Sequence, residues 1–110
     1  MADLLSGPHR PTAVFAVDDE MAIGAMQAIR EAGLHIPTDI SVVGRNDISL
    51  AAQVEPPLTT VRVEREVLGR RAAEILIDAI GGIYPEEKRV VFPSRLVERA
   101  SVAALSNYCD

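Results

Sequence analysis

The segment Ile40-Ser41-Val42-Val43-Gly44-Arg45-Asn46-Asp47 constrains the fold more than any other part of the chain. A short apolar run rich in β-branched side chains, bounded by turn residues, reads as a strand covered on both faces, the usual condition in a parallel sheet. Gly44 lets the chain turn sharply, which leaves Arg45, Asn46 and Asp47 at the strand's carboxyl end. In open α/β sheets that edge is where ligands bind.

A strand of this kind needs a crossover to a parallel neighbour, and the preceding residues supply one. Ala13 to Val17 is a second apolar run, ending at Asp18-Asp19-Glu20. Asp18 or Asp19 can cap the free N–H groups of a following helix, and negative charge there suits the helix dipole. Ala22, Ala25, Met26, Ile29 and Ala32 then fall on one face at helical spacing. Gly33 followed by Pro37 closes the helix. The strand–helix–strand unit predicts a right-handed crossover. Gly24, inside the helix, reads as a small residue kept for close packing.

Beyond the central strand, Ile48 to Val54 suits a short helical turn ended by Glu55-Pro56-Pro57, and Leu58 to Val63 reads as extended. Glu64 to Ile80 is a second long helix, with Leu68, Ala72, Ile75, Leu76 and Ala79 as its apolar stripe and Gly81-Gly82 as its stop. Glu66 and Arg70 lie one turn apart on its outer face, a modest stabilising pair. Arg89 to Phe92 and Arg95 to Arg99 are two strand-like runs. Met1 to Pro11 carries two breakers and is expected outside the core. The expected class is therefore α/β, built of parallel-sheet βαβ units.

Composition narrows the functional classes. A chain of 110 residues suits one core but not two lobes. A net charge of −5 argues against direct binding of nucleic acid, whose phosphates require a basic surface. The lone cysteine, Cys109, allows no internal disulfide, and no stretch has the apolar length of a membrane helix, so a cytoplasmic setting is expected. His9 and His35 are far apart and, with one cysteine, offer no metal cluster. No phosphate-binding glycine loop or nucleophile elbow is present, and Ser41, Ser49 and Ser101 have no base partner in the sequence. Neither an enzyme nor a cofactor protein is expected.

The acidic run Asp18-Asp19-Glu20 supports one rival. A strand ending in Val-Asp-Asp-Glu resembles a response-regulator receiver domain, in which paired acids hold a magnesium ion beside a phosphorylated aspartate. Carboxylates are the hard oxygen ligands that Mg²⁺ needs. That pattern also expects an aspartate directly ending the central strand and a Lys-Pro late in the chain. Here Gly44 follows Val43, and the only lysine, Lys88, precedes Arg89.

A second resemblance covers Pro11 to Ser101. The chain carries Ala16-Val17-Asp18-Asp19, Met21-Ala22-Ile23-Gly24-Ala25, Ile36-Pro37 and Asp39-Ile40-Ser41-Val42-Val43-Gly44. It continues with Pro56-Pro57-Leu58-Thr59-Thr60-Val61-Arg62 and Leu96-Val97-Glu98-Arg99. In order and spacing these motifs resemble the sensor domain of LacI/GalR transcription repressors, whose fold is that of periplasmic sugar-binding proteins. The resemblance implies a fragment of a two-lobe effector-binding domain. Residues 1–11 would be a lead-in and 12–105 a partial domain. Ala13 to Thr60 and Leu96 to Arg99 would lie in the C-terminal lobe, and the helix 64–80 in an N-terminal lobe that this chain lacks.

The same resemblance implies a site and partners. By position, Asp18 and Asn46 would face a carbohydrate-like effector, with Arg45 and Asp47 beside them. The family's Asn-Asp pair is Asp18-Asp19 here, and its aromatic-Asp-Asp turn is Arg45-Asn46-Asp47, so amide and carboxylate trade places. Both groups can still bond sugar hydroxyls, and Arg45 in place of an aromatic ring would either point outward or suit a phosphorylated or acidic effector. A homodimer would form through Ile23 and Gln27 on the first helix, with Leu50, Ala51 and Val54. DNA would be reached only through an absent N-terminal head, and no membrane contact is implied. The uncovered stripe on helix 64–80 predicts exchange of that helix between two chains.

Overall fold

In the computed structural model, which describes residues 1–87 and 89–105, four strands form one sheet in the order β1-β2-β3-β4. Lys88 and Cys109, both used in the sequence reading, lie outside the described residues. The elements in chain order are α1 (Ala2–Ser6), β1 (Ala13–Phe15), α2 (Asp19–Glu31), β2 (Ser41–Arg45), a 3-10 turn (Ser49–Ala52), β3 (Thr59–Arg62), α3 (Arg65–Ile80) and β4 (Arg95–Val97). β1 and β3 flank β2 in parallel, with Val14 opposite Val42 and Gly44 opposite Thr60. β4 returns antiparallel to β3, pairing Thr60 with Val97 and Arg62 with Arg95. The sheet is thus parallel-dominated α/β, built around the expected central strand.

Helix α2 forms because its apolar positions recur at helical spacing and both ends are satisfied. Asp18 caps the first turn, its Oδ1 accepting from the Met21 N–H at 2.7 Å. At the other end Gly33 takes a positive φ of 75°, and Leu34 N–H donates to the Ile29 carbonyl, closing the last turn. Ala22, Met26 and Ile29 are fully buried against Ala16, Ile40, Val42, Ala51 and Leu58. Ala25 is only half-buried and Ala32 is exposed, so the buried stripe is narrower than the sequence pattern.

Several expectations need correction. The lead-in is not outside the core: α1 lies against α2, and Met1 and Leu5 pack on the buried cluster. Arg89 to Phe92 forms no strand, and only Arg95–Val97 pairs. The run Ala13 to Val17 is covered on one face only, since Phe15 is 65% and Val17 68% exposed. Gly24 is not kept for packing: a methyl group added there would meet nothing within 4 Å. Finally, α3 buries none of its residues. It stands off the sheet, giving the molecule extents of 58 × 33 × 26 Å, and its near neighbours are the residues just after it. Leu68, Ala72 and Ile75 face Pro85, Val90 and Phe92 across an apolar groove of about 240 Å³.

Candidate functional site

The carboxyl ends of β2 and β3 bring two carboxylates, Asp19 and Asp47, together with Arg62 and Arg99. As β2 ends, Asn46 and Asp47 both adopt positive φ, 105° and 53°, a conformation that asparagine and aspartate tolerate better than most residues. The Asn46 N–H donates to the Val61 carbonyl at 2.8 Å, tying the turn to β3. This reversal swings Asp47 back over the sheet. Its side chain is 3% exposed.

Two arginines meet that carboxylate. Arg99 donates from Nη2 to Oδ1 at 2.7 Å, and Arg62 donates from Nε to Oδ2 at 2.6 Å with its Nη2 on the same oxygen. Burial pushes the Asp47 carboxyl up, but the hydrogen bonds and charges of Arg99 and Arg62 outweigh it, leaving the group below its ordinary value of 3.8. Arg99 also donates from Nη1 to the Leu58 carbonyl at 2.9 Å, and its backbone N–H donates to Thr59 Oγ1. Asp47 is therefore fully engaged within the protein.

A second buried carboxylate, Asp19, braces the same turn from the first residue of α2. Its Oδ2 accepts from the Ile48 N–H at 2.8 Å, and its Oδ1 accepts from the Thr60 hydroxyl at 2.5 Å. Asp19 and Thr60 are both fully buried. Gly44 makes room for this pair: a Cβ there would run into Asp19 Oδ1 and lie 3.0 Å from Leu58 Cδ2 and 3.3 Å from Ala22 Cβ. Ser101, also buried, accepts from Thr59 N–H and donates to the Val42 carbonyl, fastening the returning chain beneath the site.

Asn46, Asp47 and Arg62 line an open groove of about 570 Å³ together with Val63, Glu64, Arg65 and Glu66. Of the four residues singled out in the sequence, the structure brings Asn46 and Asp47 to this groove. Asp18 lies at the carboxyl end of neighbouring β1 but spends one oxygen capping α2, and it is not among the lining residues. Arg45 is exposed and also off the lining. Arg62, Arg65, Glu64 and Glu66 were not anticipated; alternation in Leu58 to Val63 marked a strand but not the face on which Arg62 would lie. In the receiver-type alternative Asp19 would be half of a metal pair; here its two oxygens accept from Thr60 and Ile48, while Asp18 Oδ1 caps α2.

Of the residues proposed for pairing, Ile23 and Val54 are half-buried, while Gln27 and Leu50 are exposed. Gln27 bonds Glu31 at 2.8 Å. Ala51 is fully buried in the chain's own core and is unavailable to a partner.

A parallel-dominated sheet carries an open polar groove at its carboxyl edge, which places the chain among α/β domains of the parallel-sheet kind. Residues 1–102 match the model of the periplasmic binding protein-like domain, and the chain belongs to that family. It is 44% identical over 98 residues to the lactose operon repressor of Rhizobium radiobacter, covering 89% of this chain and 86% of that protein. It is 42% identical over 103 residues to the HTH-type transcriptional repressor PurR of Escherichia coli O139:H28, covering 94% of this chain but 30% of that repressor. Among solved structures, a LacI transcriptional regulator from Bacillus cereus subsp. cytotoxis superposes with a TM-score of 0.88 at 31% identity, over 94% of this chain and 36% of that one. A LacI family regulator from Enterococcus faecium with bound ribose gives 0.77 at 36% identity, over 94% and 38%. The chain thus spans about a third of these longer proteins.

Proposed function

We propose that the chain is the small-molecule-sensing portion of a LacI-type transcriptional regulator, and that the groove at the ends of β2 and β3 is its share of the effector site. It is not an enzyme. The observation that carries this reading is Asn46, held at positive φ on the rim of an open groove beside Arg62. Its amide both donates and accepts, Arg62 donates, and Glu64 and Glu66 accept, a mixture that suits a polyhydroxylated ligand such as a sugar or a related metabolite. Asp18 stands at the adjacent strand end with its second oxygen outside the cap, and Asp47 orients Arg62 rather than touching the ligand. The ribose bound to the Enterococcus faecium regulator supports the ligand class. Pairing of two chains would use Ile23, Gln27, Leu50 and Val54, and DNA would be reached through a head outside these residues, in the cytoplasm.

Because the groove is open, it surrounds only part of a ligand, and sites that bind tightly bury most of the ligand's surface. Ribose or cellobiose should therefore give no micromolar binding by calorimetry. At tens of millimolar, roughly the range of a few kcal/mol, amide shifts should be confined to 46–48 and 62–66. Shifts centred instead on the apolar groove of α3, or a response to Mg²⁺ with a small phosphodonor, would replace this reading.

A further inference from the structure

Two cations, Arg62 and Arg65, line the groove at the ends of β2 and β3. Arg62 leans on Asp47, donating from Nε to Oδ2 with Nη2 on the same oxygen, and its side chain is 38% exposed. The same carboxylate also receives Arg99 on Oδ1. One negative group thus serves two guanidiniums, and the cluster keeps a positive charge in excess. Arg99 spends its other end on the Leu58 carbonyl and is the more buried of the two. The excess charge therefore reaches the groove through Arg62, whose Nη1 has no hydrogen bond among the described residues. Arg65 is exposed, and its side chain makes no ion pair or hydrogen bond among them.

Glu64 and Glu66 share the lining but do not cancel this charge. Glu66 is 91% exposed and lies 3.9 Å from Arg70, one turn further along α3. Glu64 is exposed as well. Charges in that setting are screened by water, whereas the Asp47, Arg99 and Arg62 cluster is largely withdrawn from it. Acids elsewhere on a chain of net charge −5 are screened beyond about 8 Å at physiological ionic strength. Arg45 lies off the lining and takes no part.

We propose, resting on the sensing reading above, that the groove takes an anionic polyhydroxylated ligand, a sugar acid or a sugar phosphate rather than a neutral sugar. Arg62 and Arg65 are the groups that select the charge. A guanidinium presents its N–H groups in a planar fork that matches the paired oxygens of a carboxylate or phosphate. Asp47 already fixes the plane of Arg62 and leaves Nη1 open, so little freedom remains to be lost when an anion arrives. Asn46, Glu64 and Glu66 are left for the hydroxyls, since an amide both donates and accepts and a carboxylate accepts. A neutral sugar would leave both arginines without a charged partner.

NMR shift titrations of the full chain at constant ionic strength test this with glucose, glucuronate and glucose 6-phosphate, and with inorganic phosphate alone. Charge-assisted hydrogen bonds are about twice as strong as neutral ones, so the anionic sugars should bind about tenfold more tightly than glucose. Their shifts should fall at 46–48 and 62–66, and the tighter of the two identifies the anion. Arg65→Gln, on an exposed side chain, and Arg62→Gln should each cut that ratio severalfold. Arg10→Gln, before β1 at the amino edge of the sheet, removes the same charge and should leave the ratio intact. Glucose binding as tightly as the anionic sugars would overturn this inference while the sensing reading stands. An unchanged ratio in Arg65→Gln, or one lost equally in Arg10→Gln, would also overturn it. So would inorganic phosphate binding as tightly as glucose 6-phosphate, because the hydroxyls would then contribute nothing. No shift at these residues with any of the sugars would overturn both readings.

Discussion

Asp47 and Gly44 show how single positions decide the site. The Asp47 carboxyl lies below its ordinary value because Arg99 and Arg62 hold its charged form against the effect of burial. A carboxyl depressed by folding contributes stability that is complete above the unfolded value near 3.8 and is lost as pH falls through the lower folded value. The urea midpoint of the wild type should therefore exceed that of Asp47→Asn by a constant amount above about pH 5, and the gap should close as the solution is made more acidic. Charged hydrogen bonds contribute about 1.5–3 kcal/mol each, so a neutral-pH loss of about 3 kcal/mol is expected. At Gly44 the constraint is steric. Gly44→Ala places a methyl group against the Asp19 carboxylate and Leu58, which should cost about 1–3 kcal/mol, the range for overpacking, and should shift the amides of Ile48 and Thr60. An unchanged melting temperature would show that Asp19 can move aside.

Helix α2 is the element that joins core to site. Its buried residues Ala22, Met26 and Ile29 hold the sheet, while at its start Asp18 caps the helix and Asp19 braces the turn after β2. The exposed Gly24 meets nothing, so Gly24→Ala should stabilise by about 0.5–1 kcal/mol through lower backbone entropy in the unfolded chain. Calorimetric melting checks this, and a loss of stability would reveal a close neighbour at that face. α3 is built differently. Its apolar arc is divided between Leu68, Ala72 and Ile75, which face the segment behind it, and Leu76, Ile77 and Ile80, which face solvent.

At the scale of the molecule, apolar side chains stand open among the described residues on the back of the sheet at Phe15, Val17 and Leu96 and along the outer stripe of α3. Parallel sheets are normally covered on both faces, and exposed patches of this kind promote association. Self-association at micromolar concentration is expected by sedimentation. Leu76→Lys together with Ile80→Lys should weaken it without lowering the unfolding midpoint, because neither side chain is buried within the chain. If association runs instead through α2, Ile23→Glu will dissociate the chains and the α3 variants will not. No helix among the described residues is long and apolar enough to cross a membrane, so these surfaces are not read as a membrane span.

Much of the architecture is local and was legible in the residues alone. The apolar run at Ile40 to Val43, the Asp18 cap, the helical spacing of Ala22, Met26 and Ile29, and the stop at Gly33 are short-range signals governed by backbone geometry and periodicity. They placed β2, α2 and their parallel neighbours. They also placed Asn46 at the carboxyl edge of the sheet, where it lines the open groove. What sequence could not decide is which charged side chains would be spent inside the protein. Asp18 and Asp19 are adjacent and chemically alike, yet one is a half-buried cap and the other a fully buried brace. Asp47 and Arg99 are far apart in the chain, and only the return of β4 beside β3 brings them together. Likewise Ala51 and Leu50 look equivalent as apolar neighbours, but one faces the core and the other solvent. These outcomes depend on long-range packing, which sets the dielectric surroundings and the hydrogen-bond partners of each group, and such partners exist only once the tertiary structure has formed.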